Sequence, residues 1–330
     1  MSSLKENPIK ECSATKGIPE RITGYIKKNG IVFILLLIFL LSSVFVRGFF
    51  SPVNLTNVLR QITVVTIIAL GATFVIILGH INVSYGSCVA LIGCLTCKIM
   101  VLSGSLPLAL LVGLALGLFI GIVNGTVITW FRIPAFIMTL AVTTIARGIV
   151  LLFTDARPIT GMNPEFRFIG QGSLGFIPVS VLIMVVLFVI SWIMLNKTAF
   201  GRHIFATGGN EQAAIASGVK TKSVVRKAFL FDGFMTAVAG IVMMSRLNSG
   251  QPASGVGYEF DAITAVVVGG TSLAGGSGSI IGTIIGAVIV GILNNCLNLL
   301  NVNTYVQQIT KGAIILIAVI VDMLSKRSRR

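Results

Sequence analysis

The chain contains 330 residues, of which 55% are hydrophobic and only 11% are charged. Its mean hydropathy is +0.98. A soluble domain carries roughly 25% charged residues, and the charges here are too few to cover the surface of a soluble protein of this size. The composition therefore excludes a soluble fold and predicts an all-α, polytopic membrane protein.

The charge balance is strongly basic, with 25 Lys and Arg against 10 Asp and Glu. In a soluble protein this balance would suggest binding to nucleic acid. In a membrane protein it has a simpler cause, because basic residues collect on the cytoplasmic loops. We therefore expect no nucleic-acid partner.

The five cysteines and two histidines do not form a metal-binding pattern. Cys88, Cys94 and Cys97 lie in one apolar segment and have the character of small buried apolar residues. His80 and His203 are far apart in the sequence. Because the Cys-x-x-Cys pair of Cys94 and Cys97 has no second ligand pair, the sequence predicts neither a metal site nor a disulfide framework.

The first element is an apolar run at 31–46 that follows a polar segment at 1–30. The two together resemble a signal peptide in outline. However, the polar segment is long, and no small-x-small cleavage site precedes Arg47. We interpret 1–30 as a cytoplasmic N-terminal segment and 31–46 as an uncleaved first span.

Further apolar segments follow along the whole chain. A membrane span needs about 20 apolar residues, and fewer when it is buried in a bundle. Ten segments are candidates, and Gly and Ser break the ends of the third, eighth and ninth: 31–46, 58–78, 84–101, 106–128, 135–153, 178–195, 228–246, 258–274, 279–300 and 305–323. They predict a single transmembrane domain over 31–324, with about ten helices and with broken or re-entrant segments.

Loop charges predict the orientation. The loop 196–227 is rich in Lys and Arg, and the tail 325–330 reads SKRSRR, whereas the loop 154–177 is nearly neutral. Basic loops stay in the cytoplasm. With ten spans, all three loops agree with N- and C-termini that are both cytoplasmic.

The glycine run at 265–286 reads AVVVGGTSLAGGSGSIIGTIIG. A phosphate-binding loop would need a Lys followed by Ser or Thr, and 269–286 contains no basic residue. A flexible linker would not be flanked by such apolar sequence. The run therefore predicts irregular backbone held inside protein between the eighth and ninth spans. The glycines expected to break the helix are Gly269, Gly270, Gly275, Gly276 and Gly278.

Glycines also recur every fourth residue on the fourth span, from Gly113 to Gly125, and on the ninth, from Gly278 to Gly286. This spacing lets helices approach closely in lipid. The same spans carry Asn124, Asn294 and Asn295. These amides either bond neighbouring helices or line an aqueous path, and both alternatives stay open. A second Gly-interrupted stretch, GHINVSYGS at 79–87, forms a pair with the glycine run, and such pairs point to a site between two halves.

Within the loop 196–227, Glu211–Ser217 is predicted to form a short helix. Asn210 is a suitable N-cap, Gly208 and Gly209 precede it, and Gly218 ends the helix. A small helix of this kind can dock into a groove on a cytoplasmic partner. The alternative is an ordinary solvated loop.

Several of these stretches carry a resemblance to a known family. They are GGNEQAAIASGV (208–219), the long stretch from Arg246 through the glycine run to Val302, YVQQITKGAIILIAVIVD (305–322), RIPAFIMTLAVTTIARG (132–148) and GHINVSYGS. From about residue 50 to the C-terminus the chain resembles the permease subunit of ribose-type sugar ABC importers. That family also includes arabinose, xylose and galactose permeases.

The resemblance implies a multi-pass permease of the bacterial cytoplasmic membrane. Such a permease translocates a pentose or hexose by alternating access and catalyses no reaction. It would work with an ABC ATPase subunit that has two nucleotide-binding modules, an extracytoplasmic sugar-binding protein that selects the sugar, and a second permease, identical or homologous. This chain would hold no cofactor, because the partner subunit binds ATP.

The resemblance also implies site residues. Coupling to the ATPase falls on Gly208, Gly209, Asn210, Glu211, Ala213, Ala214, Ser217 and Gly218. Candidates for the translocation path are Asn124, Phe136, Thr139, Asn294 and Asn295. The chain departs from the family pattern Gly-Gly-Ile-Asp-Leu-Ser at 79–84, where it has His80 and Asn82. Asn also tolerates a turn, but it removes any role that needs a negative charge.

The alternative function is an ion-coupled secondary transporter of a small polar solute. Such a protein usually places a carboxylate at mid-membrane. We expect none here, since Asp232 and Asp322 fall near the inner ends of predicted spans and Glu259 and Asp261 near an outer end. An intramembrane enzyme would need a catalytic pair, and the sequence shows none.

Overall fold

The computed structural model describes residues 32–33, 35–44, 46, 48–175 and 177–327, and nearly all of them are helical or lie in short connections. The predicted N-terminal segment 1–30 and the last three residues of the basic tail lie outside the described residues.

The helices are α1 (Leu35–Val44), α2 (Pro52–Ile77), α3 (Tyr85–Ser103), α4 (Leu106–Phe131), α5 (Ala135–Thr154), α6 (Pro164–Gln171), α7 (Val179–Lys197), α8 (Ala199–Gly209), α9 (Glu211–Ala216), α10 (Thr221–Leu247), α11 (Tyr258–Val268), α12 (Ile280–Leu299) and α13 (Thr304–Arg327). Between α6 and α7, strands β1 (Ser173–Leu174) and β2 (Ile177–Pro178) form an antiparallel pair.

Seven helices are long and apolar enough to cross a membrane, namely α2, α3, α4, α5, α7, α10 and α12. Each of the ten predicted segments contains a helix. The three short helices α6, α8 and α9 fall in or next to the predicted loops. The chain is therefore a helical polytopic membrane protein.

The most buried helices are α2 and α10. Within their most apolar 18-residue windows 89% and 78% of residues are buried, against 22% in α4 and 17% in α5. Mean hydropathy runs the other way, at 1.9 and 1.7 for α2 and α10 and 2.6 for α4. The outer helices thus expose many of their apolar side chains on the outside of the bundle, while the central helices can contain polar groups that bond to one another.

Glycine allows α4 to pack tightly against the centre of the bundle. A Cβ at Gly117 would lie 2.6 Å from the carbonyl oxygen of Gly233 on α10, and a Cβ at Gly121 would collide with the carbonyl of Phe229. A Cβ at Gly113 would collide with Thr96 of α3. The four-residue spacing on α4 therefore marks the contact face, as predicted.

Candidate functional site

The candidate site is the loop of residues 196–227, which we call the coupling loop after its predicted role, together with the backbone that it touches. Its helix α9 begins at the N-cap Asn210, whose Oδ1 accepts the N–H of Ala213 at 3.0 Å. Gly218 has φ +82° just beyond the helix end, and the N–H of Val219 bonds to the carbonyl of Ala214 at 3.0 Å. The predicted helix and N-cap are confirmed.

The helix α9 is fixed on one side and open on the other. Ala214 is buried, whereas Ile215 is 49% exposed. Ala213 and Ser217 are exposed, and the Ser217 hydroxyl donates to the Ala213 carbonyl at 2.9 Å. The open face thus presents one apolar side chain surrounded by small residues.

Two cavities flank α9. One of about 440 Å³ is lined by Arg132, Lys222 and Glu211, and also by His80. The other, of about 460 Å³, is lined by His203 and by basic residues that include Lys220 and Lys227. The coupling loop therefore presents one exposed apolar side chain, that of Ile215, between two cavities lined by basic residues.

The end of α8 meets two other segments in a contact made of backbone. Gly276 donates its N–H to the carbonyl of Ile77, the last residue of α2, at 2.8 Å. A Cβ at Gly208 would collide with that same carbonyl and would lie 2.9 Å from the nitrogen of Gly276. A Cβ at Gly275 would lie 2.8 Å from the carbonyl oxygen of Gly208. We call Ile77, Gly208, Gly275 and Gly276 the glycine junction.

The middle of the glycine run is non-helical from 269 to 279. Gly270, Gly275 and Gly276 have φ of +85°, +84° and +76°, a conformation that disfavours residues with a Cβ. Gly269 packs against Gly282, and Gly278 lies beside the Ile77 side chain. The run is not fully enclosed, because Gly270, Ala274 and Ser277 are exposed while Thr271 and Ser272 are buried. It lies beside the coupling loop.

The second interrupted stretch contains a buried polar network. Asn82 Oδ1 accepts the N–H and the hydroxyl of Ser84 at 2.9 and 2.8 Å. Its Nδ2 donates to Asp232 at 2.8 Å, and the hydroxyl of Tyr85 donates to the other oxygen of Asp232 at 3.0 Å. An aspartate at 82 would set two carboxylates face to face, so the amide found here suits this neighbour.

Asp232 is buried and lies nearer the middle of its helix than the sequence predicted. The predicted span began at 228, but α10 begins at Thr221, which makes Asp232 the twelfth of 27 helical residues. It is 1% exposed. Asp261 is also buried. It forms an ion pair with Lys311 at 2.9 Å and accepts a hydrogen bond from Asn294 at 3.3 Å. A lone acid among apolar residues was the available signal, and the wrong helix boundary concealed its central position in α10.

The five path candidates occupy different surroundings. Asn295 and Asn54 exchange two side-chain hydrogen bonds of 2.9 and 3.1 Å, which join α12 to α2. Thr139 is buried and accepts the N–H of Val83 at 3.2 Å, whereas Phe136 is half exposed on α5. Asn124 and Asn294 line two separate cavities. The structure does not gather these side chains into one site, and their role in a path stays a prediction.

Electrostatics link the second interrupted stretch to helix α9. Burial lowers the pKa of His80 from its ordinary value of 6.5, and the negative charge of Glu211 partly opposes this shift. The two residues line the same cavity. The charge of Glu211 therefore affects the protonation of His80.

Comparison with known proteins identifies the class. Residues 54–319 match the family described as branched-chain amino acid transport system / permease component, and the chain belongs to this family. It is 45% identical to a ribose import permease protein of Bacillus subtilis (strain 168), over 91% of this chain and 94% of that protein. The ribose import permease protein of Haemophilus influenzae is 42% identical over 90% of this chain and 93% of its own length. The L-arabinose ABC transporter permease protein of Azospirillum brasilense is 33% identical, with 92% and 90% covered.

No solved structure matches the chain. The family assignment makes the chain a transport permease rather than an enzyme, and it confirms the resemblance found in the sequence.

Proposed function

We propose that this chain is the transmembrane subunit of an ATP-driven importer that moves a monosaccharide, a pentose or hexose, into the cytoplasm. The observation that carries the proposal is the collinear match, over about nine-tenths of the chain, to permeases named for ribose, allose and arabinose. The membrane is the bacterial cytoplasmic membrane, which the chain occupies with about ten helices, some of them broken or re-entrant, and with both termini inside.

The coupling loop is the element that receives work from a separate ABC ATPase with two nucleotide-binding modules. The open face of α9 fits this role, because an exposed Ile215 can enter an apolar socket on the partner. The basic cavities on both sides would be matched by acidic groups around that socket. The chain itself holds no cofactor, since ATP is bound by the partner.

The glycine junction supplies a route from that surface into the bundle. A displacement of α9 would move Gly208, because α8 directly precedes α9. The backbone of Gly208 in turn lies against the backbone at the end of α2 and in the glycine run. Close backbone contacts have no flexible side chain between them and deform little. A small displacement of Gly208 therefore also displaces the end of α2 and the glycine run. Alternating access follows when two permease copies, or this chain and a homologue, rock about a shared path that opens outward toward an extracytoplasmic sugar-binding protein.

Ion-coupled transport is a second candidate, and Asp232 is the specific observation that favours it. A buried mid-helix carboxylate is the usual mark of a proton or cation site in such transporters. Asp261 is a weaker mark, because it already has Lys311 as its counter-charge.

One experiment separates the two functions. The chain is purified gently from native membranes, and co-purifying proteins are identified by mass spectrometry. We expect an ATPase with two nucleotide-binding modules, and we expect its recovery to fall at least about tenfold in Ile215→Asp. A tenfold loss corresponds to about 1.4 kcal/mol, which is modest for the loss of an interface anchor.

Val256→Asp is the matched control, since it makes the same change at a 70% exposed valine in the connection between α10 and α11. Equal ATPase recovery in both variants would contradict the role of α9. Uptake into proteoliposomes by the chain alone, driven by an ion gradient without ATP, would instead establish the ion-coupled function.

A further inference from the structure

A small polar cavity lies between α3, α4 and α10. It measures about 10 Å³, which is close to the space that one water-sized particle needs. Its polar lining comes from Asn82, Ser84, Asn124, Asp232 and Thr236. These five side chains are 1–4% exposed, so the polar groups around the cavity are buried in the bundle.

The hydrogen bonds around the cavity leave acceptor oxygens facing it. The Ser84 hydroxyl donates to Asn82 Oδ1 at 2.8 Å, and the Thr236 hydroxyl donates to the backbone carbonyl of Asp232 at 2.8 Å. Because both hydrogens are used elsewhere, each hydroxyl can offer the cavity only its lone pairs. Asn124 Oδ1 is buried and has no hydrogen-bond partner among the described residues. An orphaned acceptor of this kind calls for an explanation.

The lack of a counter-charge beside Asp232 is the second observation. Its two oxygens accept from the neutral groups Asn82 Nδ2 and Tyr85 OH. Within the described residues it forms no ion pair, in contrast to Asp261, which has Lys311 at 2.9 Å. A buried carboxylate without a counter-charge is strongly unfavourable, so such a group is either protonated or held by a bound cation.

We propose that Asp232, Asn124, Ser84 and Thr236 form a binding site for one small monovalent cation, for which Na⁺ is the probe. Carboxylate, amide and hydroxyl oxygens are the ligands that hard cations prefer. Ser84 follows the non-helical stretch after α2, and unwound segments of this kind hold cations in other membrane transporters. The cation would fasten α3, α4 and α10 together at the centre of the bundle. This site goes beyond the proposed import function, and its test does not involve transport or ATP.

The test is thermal unfolding of the full chain in detergent at constant pH and ionic strength, with choline chloride replaced stepwise by NaCl. A ligand that binds only the folded state raises the melting temperature as its concentration passes its dissociation constant. We expect Na⁺ to raise the melting temperature by about 3–10 °C, the range that saturating ligand gives for a protein of this size. Equal melting temperatures in the two salts would overturn the proposal.

Two variants place the effect at this cavity. In Asp232→Asn the uncompensated charge is gone, so the Na⁺ effect should vanish while stability in choline stays equal or rises. In Asn124→Asp a second carboxylate faces the cation, so the half-maximal Na⁺ concentration should fall at least about tenfold. If the Asn124 amide instead donated directly to Asp232, this variant would be destabilised equally in both salts, and the proposal would fail.

Asp261→Asn is the matched control, because it also neutralises a buried acid, but one that has its own lysine. It should lower stability and keep the full Na⁺ effect. Loss of the Na⁺ effect in Asp261→Asn alone would move the cation to the other acid and overturn the assignment. Should Asp232→Asn fail to accumulate, the wild-type titration and Asn124→Asp decide the question together.

Discussion

Gly276 and Ile77 are joined by a backbone hydrogen bond of 2.8 Å, although they are far apart in the sequence. The bond ties the middle of the glycine run to the last residue of α2, the most buried of the long apolar helices. Gly208, at the end of α8, fills the remaining space beside it. The coupling loop therefore rests directly on α2, the most buried of the long apolar helices.

Gly208→Ala should disrupt this contact. The new Cβ would collide with the carbonyl of Ile77, and no flexible side chain is available to move aside. We expect a loss of about 1–3 kcal/mol in the free energy of unfolding and a large loss of uptake. Gly209→Ala is the control one residue further on, since its Cβ would meet nothing within 4 Å. Thermal unfolding and uptake are measured for both, and equal behaviour of the two variants would argue against the junction.

Gly276→Ala tests the same contact from the glycine run. Alanine at φ +76° costs about 1 kcal/mol through backbone strain alone, and here its Cβ would also lie 2.9 Å from the Cα of Gly209. Gly161→Ala carries the same strain at φ +91° with nothing within 4 Å. Transport per inserted molecule should drop sharply in Gly276→Ala and stay near normal in Gly161→Ala.

A larger side chain at the same place, Gly275→Leu or Gly276→Leu, should abolish uptake while membrane insertion persists.

His80 predicts a pH dependence. Its pKa in the folded state lies below 6.5, because burial disfavours the charged form more than Glu211 favours it. Its stabilising contribution is therefore complete above pH 6.5 and is lost as the pH falls through the folded-state pKa, where the unfolded chain binds more protons. Thermal unfolding between pH 8 and pH 5 should show a decline that is smaller in His80→Gln.

Glu211→Gln refines that measurement. Removing the carboxylate takes away the influence that raises the pKa of His80, so the acid decline in this variant should extend to lower pH than in the wild type. An identical pH profile in Glu211→Gln and wild type would show that Glu211 of α9 does not influence the pKa of His80.

Local signals made the helices and the α9 cap predictable. Long apolar segments have one stable state in lipid, because every backbone polar group must be satisfied within the segment. The cap at Asn210 depends on atoms only three residues apart. The partners of the glycine junction were not predictable, since Ile77, Gly208 and Gly276 come together only through the packing of the whole bundle.

The central position of Asp232 in α10 was missed for a related reason. The residues Thr221–Lys227 are mostly polar and basic and look like loop, yet α10 begins there because tertiary contacts extend the helix beyond its apolar part. The pairing of Asn54 with Asn295 likewise spans 241 residues and leaves no mark in either local sequence. The sequence supplied the amides, and only the packed bundle supplies their partners.

The Asp261–Lys311 pair predicts an asymmetric response to substitution. The side chain of Lys311 is 28% exposed, whereas that of Asp261 is 5% exposed. Lys311→Met leaves a buried carboxylate without its counter-charge and should cost about 2–4 kcal/mol in the free energy of unfolding. Asp261→Asn should cost less, because the freed ammonium group can reach solvent.

The double variant Lys311→Met/Asp261→Asn should be more stable than Lys311→Met alone, since neither charge is then stranded. Chemical or thermal unfolding of the four proteins completes the double-mutant cycle. Simple additivity, with Lys311→Met no worse than Asp261→Asn, would show that Asp261 does not depend on Lys311 for its charge balance.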